Sequence, residues 1–200
     1  DASTADAAPA RLPDGSWLRV PTFAARELPG EVQALPSARW LIIGRGGRLL
    51  AAITGQVERA SGSVFAAQVG AAFAPGRDGC TFAPREPESV AKMLALASEG
   101  GAPQRVLFLL AADGVEPVAL STALLHMQQA IGQSGLDASL RMLAITVGAL
   151  PVDGALTTPE QAVVHGFFAV LPTEYPGCVA RALDVDAAAL GDQRLAAHVL

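Results

Sequence analysis

The sequence predicts an α/β protein, a Rossmann-like three-layer sandwich around a mainly parallel sheet that lacks a complete dinucleotide site. Three observations lead there. Short apolar runs alternate with stretches of helical spacing, the pattern left by βαβ crossovers. Runs such as VLFLL at 106–110 are apolar at every position, as strands buried on both faces are. A glycine-bearing stretch, LIIGRGGRLL, joins one such run to a helical pattern, where these folds place a phosphate-binding turn.

The elements follow in order. Residues 1–15 (DASTADAAPARLPDG) are small, polar and broken by proline, and read as a linker or frayed arm; the folded domain is expected over 16–200. Ser16–Val20 reads as a short strand, and Pro29 and Pro36 bracket a loop. Trp40–Ile43 is a buried strand. Gly46–Ser61 is a helix with Leu49, Leu50, Ile53 and Val57 on one face, and Ser63–Val69 is the next strand. Residues 71–85 form a loop around a short strand at Cys80–Phe82. Glu86–Ser98 is a helix with Pro87 in its first turn and Gly100-Gly101 beyond its end. Arg105–Leu110 is a strand, Pro117–Gly132 a helix with Leu120, Leu124, Met127 and Ile131 inward, and Leu140–Val147 a strand. Pro159–Leu171 is a helix with Thr158 as its cap, Cys178–Val185 a strand, and Ala187–Val199 a final helix.

Composition removes several function classes. Only 16% of the 200 residues are charged, against about 25% in an average soluble domain, which hints at surface covered by something else. Lys92 is the sole lysine, and the abundance of Ala, Gly, Pro and Arg suggests a GC-rich bacterial gene. The net charge is −5 and there is no basic run, so nucleic acid is not expected as a partner. No apolar stretch is long enough to span a membrane, and no signal peptide is evident, so a cytoplasmic location is expected. Cys80 and Cys178 are isolated and read as two reduced thiols.

Four chemistries can be tested on the residues. For a dinucleotide site, Gly44 and Gly46 occupy the first two positions of G-x-G-x-x-G, but Leu49 stands at the third. SVFAAQVG ends without an acidic residue to read a ribose, and Gln68 is the nearest polar group. Two readings stand: a structural βα turn, or a cofactor turn built on Gly44 and Gly46. For carbonyl reduction, Tyr and Lys must lie four residues apart on one helix face, so that the lysine lowers the phenol pKa. The single tyrosine, Tyr175, is far from Lys92, and Val179 occupies the required position, so the chain cannot hold that pair locally. For a hydrolase, GQSGL at 132–136 fails as a nucleophile elbow at its last position and reads as a helix end. For a metal, His126, His165 and His198 are scattered and there is no C-x-x-C. Asp184 and Asp186 read as caps for the following helix rather than paired acid and base. No catalytic, metal or cofactor residue is expected beyond the glycine alternative.

The segment 140–186 carries a set of ordered motifs: Thr146-Val147-Gly148-Ala149 after a strand, Pro159-Glu160-Gln161-Ala162 opening a helix, Gly166, Glu174-Tyr175-Pro176, and a strand ending at Asp184. Their order and spacing resemble the structural subdomain of ketoreductases in modular type I polyketide synthases, where T-x-G-A, P-x-Q-A, G-x-x-R and E-x-P steps follow one another. Trp17 stands where that family has an aromatic in its opening strand, and residues 86–110 match its helix, turn and strand. The resemblance covers 16–186. This copy departs from the pattern at Ala169 in place of the arginine, at Phe108 and Leu110 in place of a His-x-Trp, and at Pro172, where the family's helix continues. The resemblance implies a truncated Rossmann fold that binds no cofactor, is not itself an enzyme, and scaffolds a neighbour. That neighbour would be a catalytic ketoreductase subdomain with its own glycine-rich loop, expected beyond Leu200. In a pseudo-ketoreductase it would be a methyltransferase, enoylreductase or dehydratase. The setting would be polyketide, and so antibiotic, biosynthesis. The residues alone keep an alternative open, a small Rossmann-type NAD(P)-binding oxidoreductase fragment.

Overall fold

The architecture follows from how the apolar runs pair. The computed structural model describes residues 37–60, 62–136, 140–152 and 156–191, all within the unit Glu31–Leu200. The arm at 1–15, the strand at Ser16–Val20 with Trp17, the loop between Pro29 and Pro36, and the end of the helix expected to reach Val199 lie outside the described residues.

In chain order the elements are β1 (Arg39–Gly44), α1 (Arg48–Arg59), β2 (Ser63–Val69), β3 (Ala74–Pro75), β4 (Gly79–Phe82), α2 (Pro87–Ala97), β5 (Arg105–Phe108), α3 (Pro117–Ser134), β6 (Arg141–Val147), α4 (Ala162–Glu174) and β7 (Val179–Val185). Among the described residues these strands form one sheet in the order β3-β4-β2-β1-β5-β6-β7. Every pair is parallel except β3 with β4. Without the short β3, this is the strand order of a dinucleotide-binding α/β sheet, reversing direction between β1 and β5. The mainly parallel Rossmann-like sandwich expected from the sequence is the fold.

Right-handed crossovers that step opposite ways along a sheet put their helices on opposite faces. The step from β1 to β2 therefore places α1 on one face. The steps from β4 through β5 and β6 to β7 place α2, α3 and α4 on the other. The packing agrees. Leu50, Ile53 and Val57 of α1 lie on Trp40, Ile42, Leu107, Leu109 and Ile145. Val90 and Met93 of α2, Leu120 and Leu124 of α3, and Val164 and Phe168 of α4 form a larger core on Leu41, Ile43, Val106, Phe108, Met142 and Ala144. One crossover carries no helix: β2 reaches β4 through Gly70–Asp78, which holds only β3. That connection steps the same way as the one through α1, so among the described residues α1 is the α-helix on that face, with Leu190 of the turn after β7 packed beside it, an arrangement compatible with a truncated Rossmann fold.

Several boundaries differ from the sequence reading. The helix expected from Gly46 begins at Arg48, because Gly47 sits at its cap. The strand expected through Leu110 stops pairing at Phe108, and Leu110 and Ala111 accept the amides of a turn. The helix expected from Pro159 opens with 3-10 geometry over Pro159–Gln161. Thr158 does not cap it: its hydroxyl donates to the carbonyl of Val147 and closes the preceding loop instead. Pro172 does not end α4, which runs to Glu174. A proline so near a C-terminus removes only one bond of the last turn, and the Tyr175 amide still reaches Leu171 at 2.9 Å. After β7 the chain enters a 3-10 turn, Ala187–Gly191, rather than an α-helix.

Candidate functional site

In such a sheet a ligand would sit beyond the carboxyl ends of β1 and β5, where the strand order reverses. The turn there is Gly44-Arg45-Gly46-Gly47, with positive φ at Gly46 (100°) and Gly47 (92°). Gly44 and Gly46 are therefore placed where the cofactor alternative needs them. What faces the turn is a side chain of the protein itself. Asp113, in the turn after β5, accepts the backbone N–H of Arg45 at 2.6 Å through Oδ2. A Cβ on Gly44 would come within 2.7 Å of that same oxygen, so the missing side chain makes room for a carboxylate. Burial raises the Asp113 pKa, while the Arg45 amide and charge pull against it. Gln68, at the end of β2 and paired with Gly44, brings Oε1 to 3.3 Å from where a Gly46 Cβ would lie. Leu49 packs against the α1 core.

Amides at a helix N-terminus attract an anion. Here the anion is built in, and it holds the turn after β1 to the turn after β5. A pyrophosphate approaching the Arg45 amide would have to displace a partly buried carboxylate of like charge.

The other residues singled out in the sequence hold the structure together. The Tyr175 hydroxyl donates to the Gln128 carbonyl at 3.1 Å, fastening the end of α4 to α3. Lys92 pairs with Glu88 one turn away at 2.8 Å. The two are not brought together. Ser134 is the last residue of α3, and Gly135 closes the helix at φ 68°. His126 Nδ1 meets the Pro84 carbonyl at 3.2 Å. Cys80 and Cys178 are buried and not disulfide-bonded, and burial pushes the Cys80 thiol up to about 11. Among the described residues no group of His, Cys, Asp and Glu is arranged to hold a metal ion, and no helix is long and apolar enough to cross a membrane.

The motif segment forms a polar knot. The Thr146 hydroxyl donates to Asp184 Oδ1 at 2.6 Å, and the amides of Ala149 and Leu150 donate to the same carboxylate at 3.0 Å each. His165 Nε2 lies 2.8 Å from Thr146 Oγ1. The threonine has one proton and gives it to the carboxylate, so the histidine donates from Nε2. The buried side chain of Gln161 accepts the Val147 amide at 3.0 Å. The two aspartates thus divide their work: Asp186 takes the Ala188 amide at the following 3-10 turn, as a cap would, while Asp184 binds the β6 loop instead. Sequence reading missed Asp113 and the partnership of Thr146, His165 and Asp184. Asp113-Gly114 signals a turn, but nothing local ties it to Arg45.

The strand order with its glycine turn defines a Rossmann-like fold of the kind found in ketoreductases and short-chain dehydrogenases. Solved structures bear this out. The chain is similar to an adenylation, ketoreductase and pseudo-Asub multidomain structure of a keto acid-selecting NRPS module, with 16% identity and a TM-score of 0.65 over 84% of this chain and 14% of that one. It is similar to an N-terminal ketoreductase from the macrolactin assembly line, with 17% identity and a TM-score of 0.64 over 80% of this chain and 35% of that one. It also matches a short-chain dehydrogenase/reductase-family oxidoreductase from Brucella ovis in complex with a partially ordered NAD, with 15% identity and a TM-score of 0.56 over 82% of this chain and 91% of that one. The chain thus spans a minor part of the two assembly-line proteins and most of the Brucella enzyme. No family model matches it, and no curated protein does.

Proposed function

We propose that this chain is the structural, non-catalytic half of a ketoreductase region in a polyketide-type assembly line, and that it braces an adjacent synthase domain. The observation that carries this reading is Asp113 on the glycine turn: where the fold would bind a dinucleotide, the Arg45 amide is already taken by the protein's own carboxylate. Two further observations support it. The Tyr175 hydroxyl and the Lys92 ammonium are engaged with different partners, the Gln128 carbonyl and Glu88. Residues of the motifs resembling the ketoreductase structural subdomain are tied to one another by hydrogen bonds that fasten β6 to β7 and α4. On this reading the chain works in the cytoplasm, its partners are neighbouring synthase domains, and it needs no cofactor.

The face offered to a neighbour would be the outer side of α3 and α4. Neither helix carries a charged residue before Glu174, and both leave valine or leucine exposed, namely Val118, Leu125, Val163 and Val170. Depletion of charge is the mark of an interface core.

The test is calorimetric titration of the chain with NADPH and with NADH. No saturable heat is expected. Saturable micromolar binding, abolished by Gly46→Trp in a protein that keeps its circular dichroism, would establish the oxidoreductase alternative on Gly44 and Gly46 instead.

A further inference from the structure

Two-sided burial is the rule for parallel strands; the first residues of β6 and the length of β7 break it, while Ile145 and Val147 of β6 stay buried. The even-numbered residues of the two strands, Met142, Ala144, Ala180 and Ala182, lie in or against the core under α4. The odd-numbered residues point the other way, toward the face on which, among the described residues, α1 is the α-helix, and Ile145 lies in the core beneath it. On that face Val179 is 46% exposed and Leu183 36% exposed. Leu143 is only partly buried.

Arginines border these apolar groups. Arg105 and Arg141 are register partners across β5 and β6, and Arg141 pairs in turn with Val179. Arg181 lies two residues along β7, beside Leu143. The three cations therefore share a face with Leu143, Val179 and Leu183, around a groove of about 290 Å³ floored by Trp40 and Leu143. Arg105 lies over the Trp40 ring at 5.2 Å. The guanidiniums of Arg141 and Arg181 make no hydrogen bond or ion pair among the described residues. Burial, and then the charge of Arg141, lower the Arg105 pKa, as expected where like charges face each other without an acid between them.

We propose that this exposed strip is the seat of an acidic amphipathic α-helix supplied by another domain or protein. Its apolar stripe would lie on Leu143, Val179 and Leu183, and its carboxylates would pair with Arg141, Arg181 and Arg105. A helix fits because on this same face the neighbouring strands β1 and β5 are already covered by a helix, α1, through Leu50, Ile53 and Val57. Carboxylates fit because three uncompensated arginines adjoin the apolar strip, and Arg recognises carboxylate in bidentate geometry. A nucleic acid would want a longer basic track with less apolar surface. The site lies across the sheet from α3 and α4, so it does not depend on the neighbour proposed for those helices.

Trp40 is a built-in reporter. In the full 200-residue chain carrying Trp17→Phe, it is the only indole. The probe is a synthetic 16-residue helical peptide with leucine along one face and glutamate flanking it, compared with the same peptide carrying lysine for glutamate. Saturable change in Trp40 emission is expected with the glutamate peptide, at least tenfold weaker with the lysine peptide, and weaker as salt rises. Arg141→Glu with Arg181→Glu should weaken binding by tenfold or more. Both side chains are exposed, and Arg141→Gln with Arg181→Gln serves if charge reversal prevents folding. Equal affinity for both peptides, indifference to the arginine substitutions, or no binding up to millimolar peptide would overturn the proposal. So would preferential arginine-dependent binding of a DNA duplex or of phosphatidylserine vesicles.

Discussion

At the scale of single residues, Asp184 decides most. Its carboxylate gathers a hydroxyl and two amides, and the hydroxyl in turn takes the His165 proton. Thr146→Val removes the only group that serves both ends. It should cost about 1–3 kcal/mol, the usual penalty when buried partners are left unpaired, read as a lowered denaturation midpoint with an unchanged m-value. The same knot sets a pH dependence. Burial lowers the His165 pKa, with Asp184 opposing. The native state therefore holds a neutral imidazole when the unfolded chain already binds a proton. The His165 contribution is fully present above its unfolded pKa of about 6.5 and is lost as pH falls below that value. Urea unfolding of the wild type and His165→Gln between pH 5 and 8 should show the two converging as the solution is acidified. Parallel curves would remove His165 from the account.

At the scale of elements, the glycines closing α3 and opening the β6 loop provide a matched pair. Gly135 and Gly148 both hold positive φ, 68° and 60°. A methyl at Gly135 meets nothing, whereas one at Gly148 runs into the Thr157 hydroxyl. Gly135→Ala should cost about 1 kcal/mol, the strain of a left-handed residue alone. Gly148→Ala should cost about 3 kcal/mol or more, because a packing clash adds to the same strain. Equal losses in thermal melts would show that the loop yields to Thr157. This contrast also marks what a sequence can disclose. The strands at 40–43 and 106–108 were legible because continuous apolar runs need burial on both sides, and α2 because Pro87 and the paired glycines punctuate it. The place of Gly44 and Gly46 was legible for the same local reasons. What fills the turn was not, since Asp113 lies 68 residues from Arg45 and meets it only through the pairing of β1 with β5. Thr158 misled because a hydroxyl before a proline suits a cap, yet a carbonyl of β6 lay within its reach.

At the scale of the whole molecule, the sheet has two unlike sides. Among the described residues, one carries three α-helices and an outer face poor in charge; the other carries α1 and an exposed strip edged with arginine. If the α3 and α4 face seats a neighbouring domain, then Leu125→Glu combined with Val170→Glu should leave the isolated chain folded, with its melting temperature shifted only slightly. The same pair, introduced into the intact multidomain protein, should loosen the interface, seen as faster amide exchange in α3 and α4. Unchanged exchange there, with the melting temperature also unchanged, would mean that this face meets solvent in the assembly.

The bond between Arg45 and Asp113 also bears on the order in which the chain folds. Local contacts form first, and a contact between distant residues waits until the loop between them is closed. The β1–α1–β2 unit and the α2 helix can take shape from neighbouring sequence. The turn at Gly44–Gly47 acquires its final partner only after β5 has inserted beside β1. The glycine turn is thus a late-arriving feature of the molecule, and its ordering marks the moment when the two halves of the sheet become one.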